Sequence, residues 1–374
     1  MYNSCSNRCN FVLLSRLNFQ QPGKDIVPVR HLITKESGKA PASEWRLPTA
    51  LKPIHYVVRL QPITGGNFSI LGHVDIEIEV VETTTNVTLN MYAIDALEQS
   101  IKVEPAGGGA GVGIQSTSFD AIREFYTVQL DEALYFALTQ FEAIGARRAF
   151  PCFDEPSLKA TFDITLGRLD TMTAFSNTPI KSTTPIGGQP GWSWDEYETT
   201  VLMPTYLLAF VVSDFAQNTT TTSTGLPYGV VARQQTIANS KYALDKGPQV
   251  LEFFEIYFQI PYAEAKMDMV ATLDFSGAME NWGLILYGED VMLYDPAVNS
   301  LDDKQWVMRF IAHETAHQWF GNLVTMGWWS HIWLNEGFAE FLEYYGTDFV
   351  SDIYHWSNNG QRYLMGYYPG SHDS

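Results

Sequence analysis

His313 and His317 stand four residues apart with Glu314 beside the first, and Asn335-Glu336-Gly337 follows further along the chain. Residues four apart on an α-helix project from one face, one turn above each other. That is the spacing at which two neutral imidazoles grip one tetrahedral zinc ion, so the stretch is expected to be helical. Glu314 is placed to take a proton from a metal-bound water. Glu336 is the candidate third ligand, which leaves one coordination position open to water or substrate. An open position separates a catalytic zinc from a structural one, and the pattern points to metal-assisted hydrolysis with one Zn2+ per chain. Phe310, Ile311, Trp319 and Phe320 surround the pair. In such an apolar setting a lone glutamate is costly, whereas a metal satisfies it. The competing reading is a surface helix that carries two histidines by accident. For Glu336 it is a helix-start glutamate favoured by the dipole. With only 8 histidines in the chain, two at this spacing around a glutamate favour the metal site.

At 374 residues the chain has room for two domains, each with its own core. A hydrophobic share of 45% and an aromatic share of 14% fit packed globular domains rather than general disorder. The formal charge of -19 argues against nucleic acid as a partner, because phosphate binding needs basic patches. An acidic surface would also attract cationic peptides, although solubility alone accounts for it. Cys5, Cys9 and Cys152 supply neither a disulfide framework nor a thiolate zinc site, and Cys152 is expected to be a buried free thiol. Sequons at Asn67, Asn86 and Asn218 lean towards an extracellular or cell-surface location. Neither a signal peptide nor a membrane-spanning run is legible, so a cytoplasmic location stays open. Any membrane association would come through segments outside this chain.

Residues 1–44 carry no sustained period and are expected to form an irregular extension. Residues 45–216 read as a β domain. The stretch 73–80 alternates apolar and polar residues strictly, the mark of a half-buried antiparallel strand. Residues 87–91, 126–130 and 160–166 resemble it, and the apolar run 207–212 is expected to be a fully buried strand. The threonine run 219–222 reads as a loop near the domain junction. Residues 217–374 turn to the helical period. Helices are expected over 242–258 and 302–320, the second with Asp302 and Asp303 in its first turn. Asn335 is expected to cap a further helix bearing Glu336. The fold class is therefore an N-terminal antiparallel β-sandwich-like domain followed by an α/β zinc domain.

HETAHQWFGN at 313–322, NEGFAE at 335–340 and GAMENWG at 277–283 together resemble the M1 zinc aminopeptidases, aminopeptidase N-like members in particular. TQFEA at 139–143, ARRAFPCFDEP at 146–156, YLLAFVVSDF at 206–215 and KMDM at 266–269 extend the resemblance across residues 45–346. It implies that the zinc domain is thermolysin-like, with His313, His317 and Glu336 as ligands and Glu314 as general base. It further implies that Gly277, Ala278, Met279, Glu280 and Asn281 form an edge strand against which a peptide N-terminus lies. Glu280 would bind the free α-ammonium, joined by Glu142 from the β domain. Two carboxylates on an ammonium beside zinc set the first peptide bond at the metal, and an N-blocked peptide loses those ion pairs. Gly277 and Ala278 let the substrate backbone approach closely. Without the resemblance, Glu280 reads as a solvated turn residue and Glu142 as a surface strand position. The implied activity is hydrolysis of the N-terminal peptide bond of peptides with a free α-amine.

The match to that family has departures. The family's oxyanion-stabilising tyrosine falls past Ser374, and losing one such donor typically costs about 100- to 1000-fold in turnover. Residues 132–138 join two stretches that family members separate by further strands. Ile144-Gly145 replaces Thr-Asp, one residue is missing before Gly277, and Ser330-His331 stands where Asn-Asp is more usual near Glu336. The chain is accordingly expected to be a shortened homologue. The alternative to an active enzyme is a catalytically impaired protein that binds zinc or peptide, or a cell-surface interaction protein.

Overall fold

The computed structural model describes residues 8–18, 46–63, 69–82, 87–91, 94–96, 101–105, 137–273 and 275–350. The chain divides into two compact units, Met1–Asp214 and Phe215–Ser374.

The first unit is β-rich. Its strands are β1 (Arg8–Asn18), β2 (Leu51–Ile63), β3 (Ser69–Val80), β4 (Asp95–Ala96), β5 (Lys102–Pro105), β6 (Ala137–Leu138), β7 (Thr161–Leu169), β8 (Thr173–Ser176), β9 (Ile180–Pro185), β10 (Trp192–Tyr197) and β11 (Phe210–Ser213). An eight-stranded sheet runs β4-β1-β3-β2-β7-β10-β9 with β5 paired to β1, and β6-β11-β8 form a smaller sheet. The alternation at 73–80 is realised in β3, where Val74, Ile76 and Ile78 are buried. Tyr56 of β2 stacks on Phe162 of β7 at 4.8 Å between centroids, with Phe150 edge-on to both.

Four expectations need correction in this unit. Arg8–Asn18 is a strand, not irregular chain, and it pairs with β3 on one side and with β4 and β5 on the other. The domain is not wholly antiparallel, because β2 and β7 run parallel. Such a pair needs a long crossover, and residues 64–160 supply it. The apolar run 207–212 is a strand only from Phe210, preceded by a 3-10 turn over Thr205–Leu207. There the Asn177 side chain replaces the ladder, donating to Leu207 O at 2.8 Å and accepting from Ala209 N at 2.9 Å. Residues 87–91 make only an isolated bridge between Asn90 and Cys152. The expected strand at 126–130 lies outside the described residues. Cys152 is a buried free thiol.

The second unit contains β12 (Ala216–Thr221), β13 (Pro227–Ala232), β14 (Met267–Thr272), β15 (Ala278–Met279) and β16 (Leu284–Gly288). Its helices are α1 (Lys241–Phe258), α2 (Glu289–Met292), α3 (Leu301–His317) and α4 (Trp333–Val350). The sheet order is β12-β13-β14-β16-β15, with β13, β14 and β16 parallel and the two outer strands antiparallel. All residues of β14 and β16 are buried, as parallel strands covered by helices must be. The threonine run, expected to be a loop, belongs instead to β12, an exposed edge strand where β-branched residues fit. Asn218 within it donates Nδ2 to Ile237 O and Ser240 Oγ, bonds that a glycan there would displace. Among the described residues no helix is long and apolar enough to cross a membrane.

Helix α3 starts at a capping box, with Asp303 N donating to Ser300 Oγ and Ser300 N donating to Asp303 Oδ2. It ends at His317 rather than at Phe320, where Gln318 N and Trp319 N tighten onto Thr315 O and Ala316 O ahead of Gly321 at φ +130°. Helix α4 begins at Trp333, so Asn335 sits within its first turn and is not the cap. α3 and α4 approach closely at Gly346, where a Cβ would lie 3.1 Å from Ala312 Cβ and 3.0 Å from Phe254 Cζ of α1. That approach brings the acidic face of α4 onto the histidine face of α3.

Candidate metal centre

The two histidines of α3 meet through their Nε2 atoms, 3.0 Å apart. Glu336 Oε2 of α4 lies 3.3 Å from His313 Nε2 and 3.6 Å from His317 Nε2. Tetrahedral zinc with bonds of about 2.0–2.1 Å sets its ligand atoms roughly 3.3 Å from one another. The triangle of 3.0, 3.3 and 3.6 Å therefore fits one such ion.

The outer nitrogens make the fit stronger. His313 Nδ1 lies 2.9 Å from Glu343 Oε2, and His317 Nδ1 lies 2.9 Å from Phe320 O. Both partners are acceptors, so each Nδ1 carries a proton and each Nε2 turns inward, where it offers a lone pair once its own proton is lost. Two imidazole nitrogens and a carboxylate oxygen converging on one point are a group that could hold a cation. The acidic surroundings act in the same direction. Burial opposes charge on His313, yet Glu336 and Glu343 raise it to about 11. Burial likewise opposes charge on His317, yet Glu280 and Glu336 raise it to about 9. Burial would raise Glu336 too, but hydrogen bonds from the two histidines hold it well below the usual carboxylate range.

Glu343 is held in turn. Arg309 donates to it through Nε at 3.0 Å and through a further bond from its terminal nitrogen. The guanidinium also faces the rings of Trp306 and Tyr344 at 5.2 and 4.7 Å and donates to Tyr344 Oη. An Arg309–Glu343–His313 chain thus orients the first candidate ligand, the kind of arrangement that fixes tautomer and ring angle at metal sites. Glu343 escapes a sequence reading centred on NEGFAE. Its signal is spacing, since it lies two turns beyond Glu336 on the same face of α4, as Arg309 lies one turn before His313 on α3.

Two further carboxylates border this cluster. Glu314 is 4% exposed, and its Oε2 has no hydrogen-bond partner. Burial raises it to about 7 against the pull of His313 and His317, a value suited to proton transfer near neutral pH. Glu280 is 3% exposed, its Oε1 also lacks a hydrogen-bond partner, and that oxygen lies 3.9 Å from His317 Nδ1. Buried carboxylate oxygens without donors are costly, and here two of them adjoin one histidine cluster. Glu280 directly follows β15, the outermost strand of its sheet. The segment starts at Gly277, whose φ of +78° favours glycine. Ala278 and Met279 form β15 itself, and Asn281 is fully buried in the turn to β16. Glu142 belongs to the first unit, half-buried in the turn after β6. Ser330 and His331 lie exposed in the 3-10 turn ahead of α4.

Residues 242–368 match the model of the peptidase family M1 domain, and residues 112–207 match that of the peptidase M1 N-terminal domain. The chain is 35% identical over 356 residues to aminopeptidase N of Canis lupus familiaris, covering 83% of this chain and 36% of the relative. It is 39% identical over 342 residues to endoplasmic reticulum aminopeptidase 2 of Bos taurus, covering 81% and 35%. Endoplasmic reticulum aminopeptidase 1 of Rattus norvegicus is 38% identical over 343 residues, covering 81% and 36%. The chain thus spans about a third of the length of the curated relatives it matches.

Proposed function

The chain belongs to peptidase family M1, and we propose that it is a zinc aminopeptidase acting on peptides with a free α-amine. The observation that carries this reading is the convergence of His313 Nε2, His317 Nε2 and Glu336 Oε2 beside two buried carboxylates that lack donors. His313, His317 and Glu336 are assigned to hold one zinc ion. Bound there, zinc supplies Lewis-acid polarisation of a carbonyl and lowers the pKa of water.

The remaining chemistry falls to the chain's own side chains. Glu314 accepts the proton of the attacking water and returns it to the leaving amine, a task that suits a carboxyl raised to about 7. Glu280 offers Oε1 to the α-ammonium, and a protonated amine is the donor which that buried oxygen lacks. The free edge of β15 gives the peptide backbone a strand to pair with, which orients the first peptide bond. Glu142 is proposed as the second ammonium ligand, on the family resemblance of the TQFEA segment.

The test is turnover of leucine p-nitroanilide by the zinc-loaded full chain, beside its N-acetylated twin and with Glu314→Gln as control. Hydrolysis of the free amine alone, lost in Glu314→Gln, is the expected result. Equal hydrolysis of both substrates would remove the amine-recognition assignment, and absence of zinc-dependent turnover would remove the enzyme assignment.

A further inference from the structure

Zinc helix and amine-binding segment are joined by two carboxamides whose bonds converge on one peptide group. Asn322 Nδ2 donates to the backbone carbonyl of Glu280 at 2.9 Å, and Gln318 Nε2 donates to the same oxygen at 3.3 Å. Gln318 Nε2 also donates to the backbone carbonyl of Glu314 at 2.9 Å. Asn322 Nδ2 in turn donates to Gln318 Oε1 at 3.3 Å, which fixes the orientation of the first amide by the second. Both side chains are buried, Asn322 completely and Gln318 to within 2%.

The position of Gln318 explains why its amide is needed. In a continuing helix the Glu314 carbonyl would accept from the backbone N–H four residues on. Here α3 tightens at its end, and Gln318 N donates to Thr315 O instead. The Gln318 side chain adds a donor to the Glu314 carbonyl. One side-chain nitrogen therefore bridges the backbones of the proton-transferring carboxylate and the amine-binding one. The far end of the segment is anchored separately, since Lys266 Nζ donates to Gly283 O at 2.7 Å.

We infer that Gln318 and Asn322 are positioning residues that lock the Glu280 carboxylate in register with Glu314, so that recognition of the free amine depends on how the zinc helix ends. The hydrogen bonds of the two amides run to the backbone carbonyls of Glu280 and Glu314 and to each other. They act through the Glu280 peptide group, and the effect belongs to substrate selectivity rather than to metal binding. The role in amine recognition rests on the function proposed above; the mechanical coupling does not.

The experiment has two readouts on the full chain, with Gln318→Met, Asn322→Ala and the double variant. Gln318→Met keeps the side-chain length while deleting the donor, and it guards against a folding failure of Asn322→Ala at its fully buried site. The first readout is hydrogen exchange of residues 277–283, expected to quicken about tenfold for one lost charge-free clamp bond, with α1 unchanged. Unchanged exchange in Gln318→Met and Asn322→Ala would overturn the coupling. The second is the affinity of the zinc-loaded chain for L-leucinamide against N-acetyl-L-leucinamide. The variants are expected to lose most of the preference for the free amine while keeping wild-type zinc stoichiometry. A preference retained in the variants would overturn the selectivity role. Wild-type protein with no preference would also overturn that role, by removing the amine reading beneath it, and would leave the exchange result to decide the coupling.

Discussion

Two buried acidic clusters, one in each unit, contrast in a way that separates structure from function. In the first unit Asp154 is 1% exposed, and every oxygen of its side chain is occupied. Oδ2 accepts from Arg147 Nε at 2.8 Å and Oδ1 accepts from Thr205 Oγ1 at 2.7 Å. Burial raises its pKa and Arg147 pulls the other way. In the second unit Glu314 and Glu280 are similarly buried, yet each keeps an oxygen without a hydrogen-bond donor. Two imidazole Nε2 atoms and Glu336 turn toward the same region. A saturated network holds a fold together, while an unsaturated one is completed by a ligand. The first cluster is cross-bracing; the second is the candidate site.

The largest effect that would break this comparison is at Glu314. Glu314→Gln is expected to cut zinc-dependent turnover by about 100- to 10,000-fold with zinc stoichiometry intact, read by steady-state kinetics beside metal analysis. Asp154→Ala tests the other cluster. Removing it strands the half-buried Arg147 charge, and a loss of about 3–5 kcal/mol in denaturant unfolding is expected, with zinc affinity unchanged. A zinc defect there would erase the distinction drawn between the clusters. Next in size is Glu343→Ala, which is expected to weaken zinc about 10- to 100-fold in chelator competition by releasing His313 Nδ1.

The smallest effect concerns the metal-free chain and sharpens the comparison through pH. His313 and His317 are raised from about 6.5 to about 11 and about 9. Their contribution to stability is therefore full below about pH 6.5 and is lost as pH rises through about 9 to 11. Glu336 is depressed, so its contribution is present above about pH 4.5 and is lost as pH falls towards its folded value. The expected outcome is an alkaline decline in the unfolding midpoint of metal-free protein that zinc suppresses, because the cation replaces the protons.

The histidine pair of the candidate site is legible from spacing, because His313 and His317 share one helix face. Glu336 stands out less by spacing, since a glutamate at a helix start is also favoured by the dipole, and the family resemblance singles it out. The GAMEN segment was legible through a family resemblance rather than through physics, since its Glu280 looks like a turn residue until its burial is seen. What stayed hidden depends on contacts between distant elements. Glu343 acquires meaning only once Gly346 lets α4 lie against α3. The strand β1 shows no alternation in its sequence and is defined by its pairing with β3 and β5, and β2 meets β7 across a long crossover. The false continuous strand at 207–212 failed for a side-chain reason, as Asn177 takes the backbone groups that a ladder would have used. Periodicity reports which face is buried and says nothing of which partner does the burying.

Zinc affinity of the dialysed full chain, compared between wild type and Glu336→Ala, tests the central claim most directly. The account predicts one zinc per wild-type chain and an affinity at least about 100-fold weaker in the variant, with the same far-UV spectrum. Wild-type protein that binds no zinc, or a variant that binds it equally well, would contradict the assignment of His313, His317 and Glu336 as one metal site.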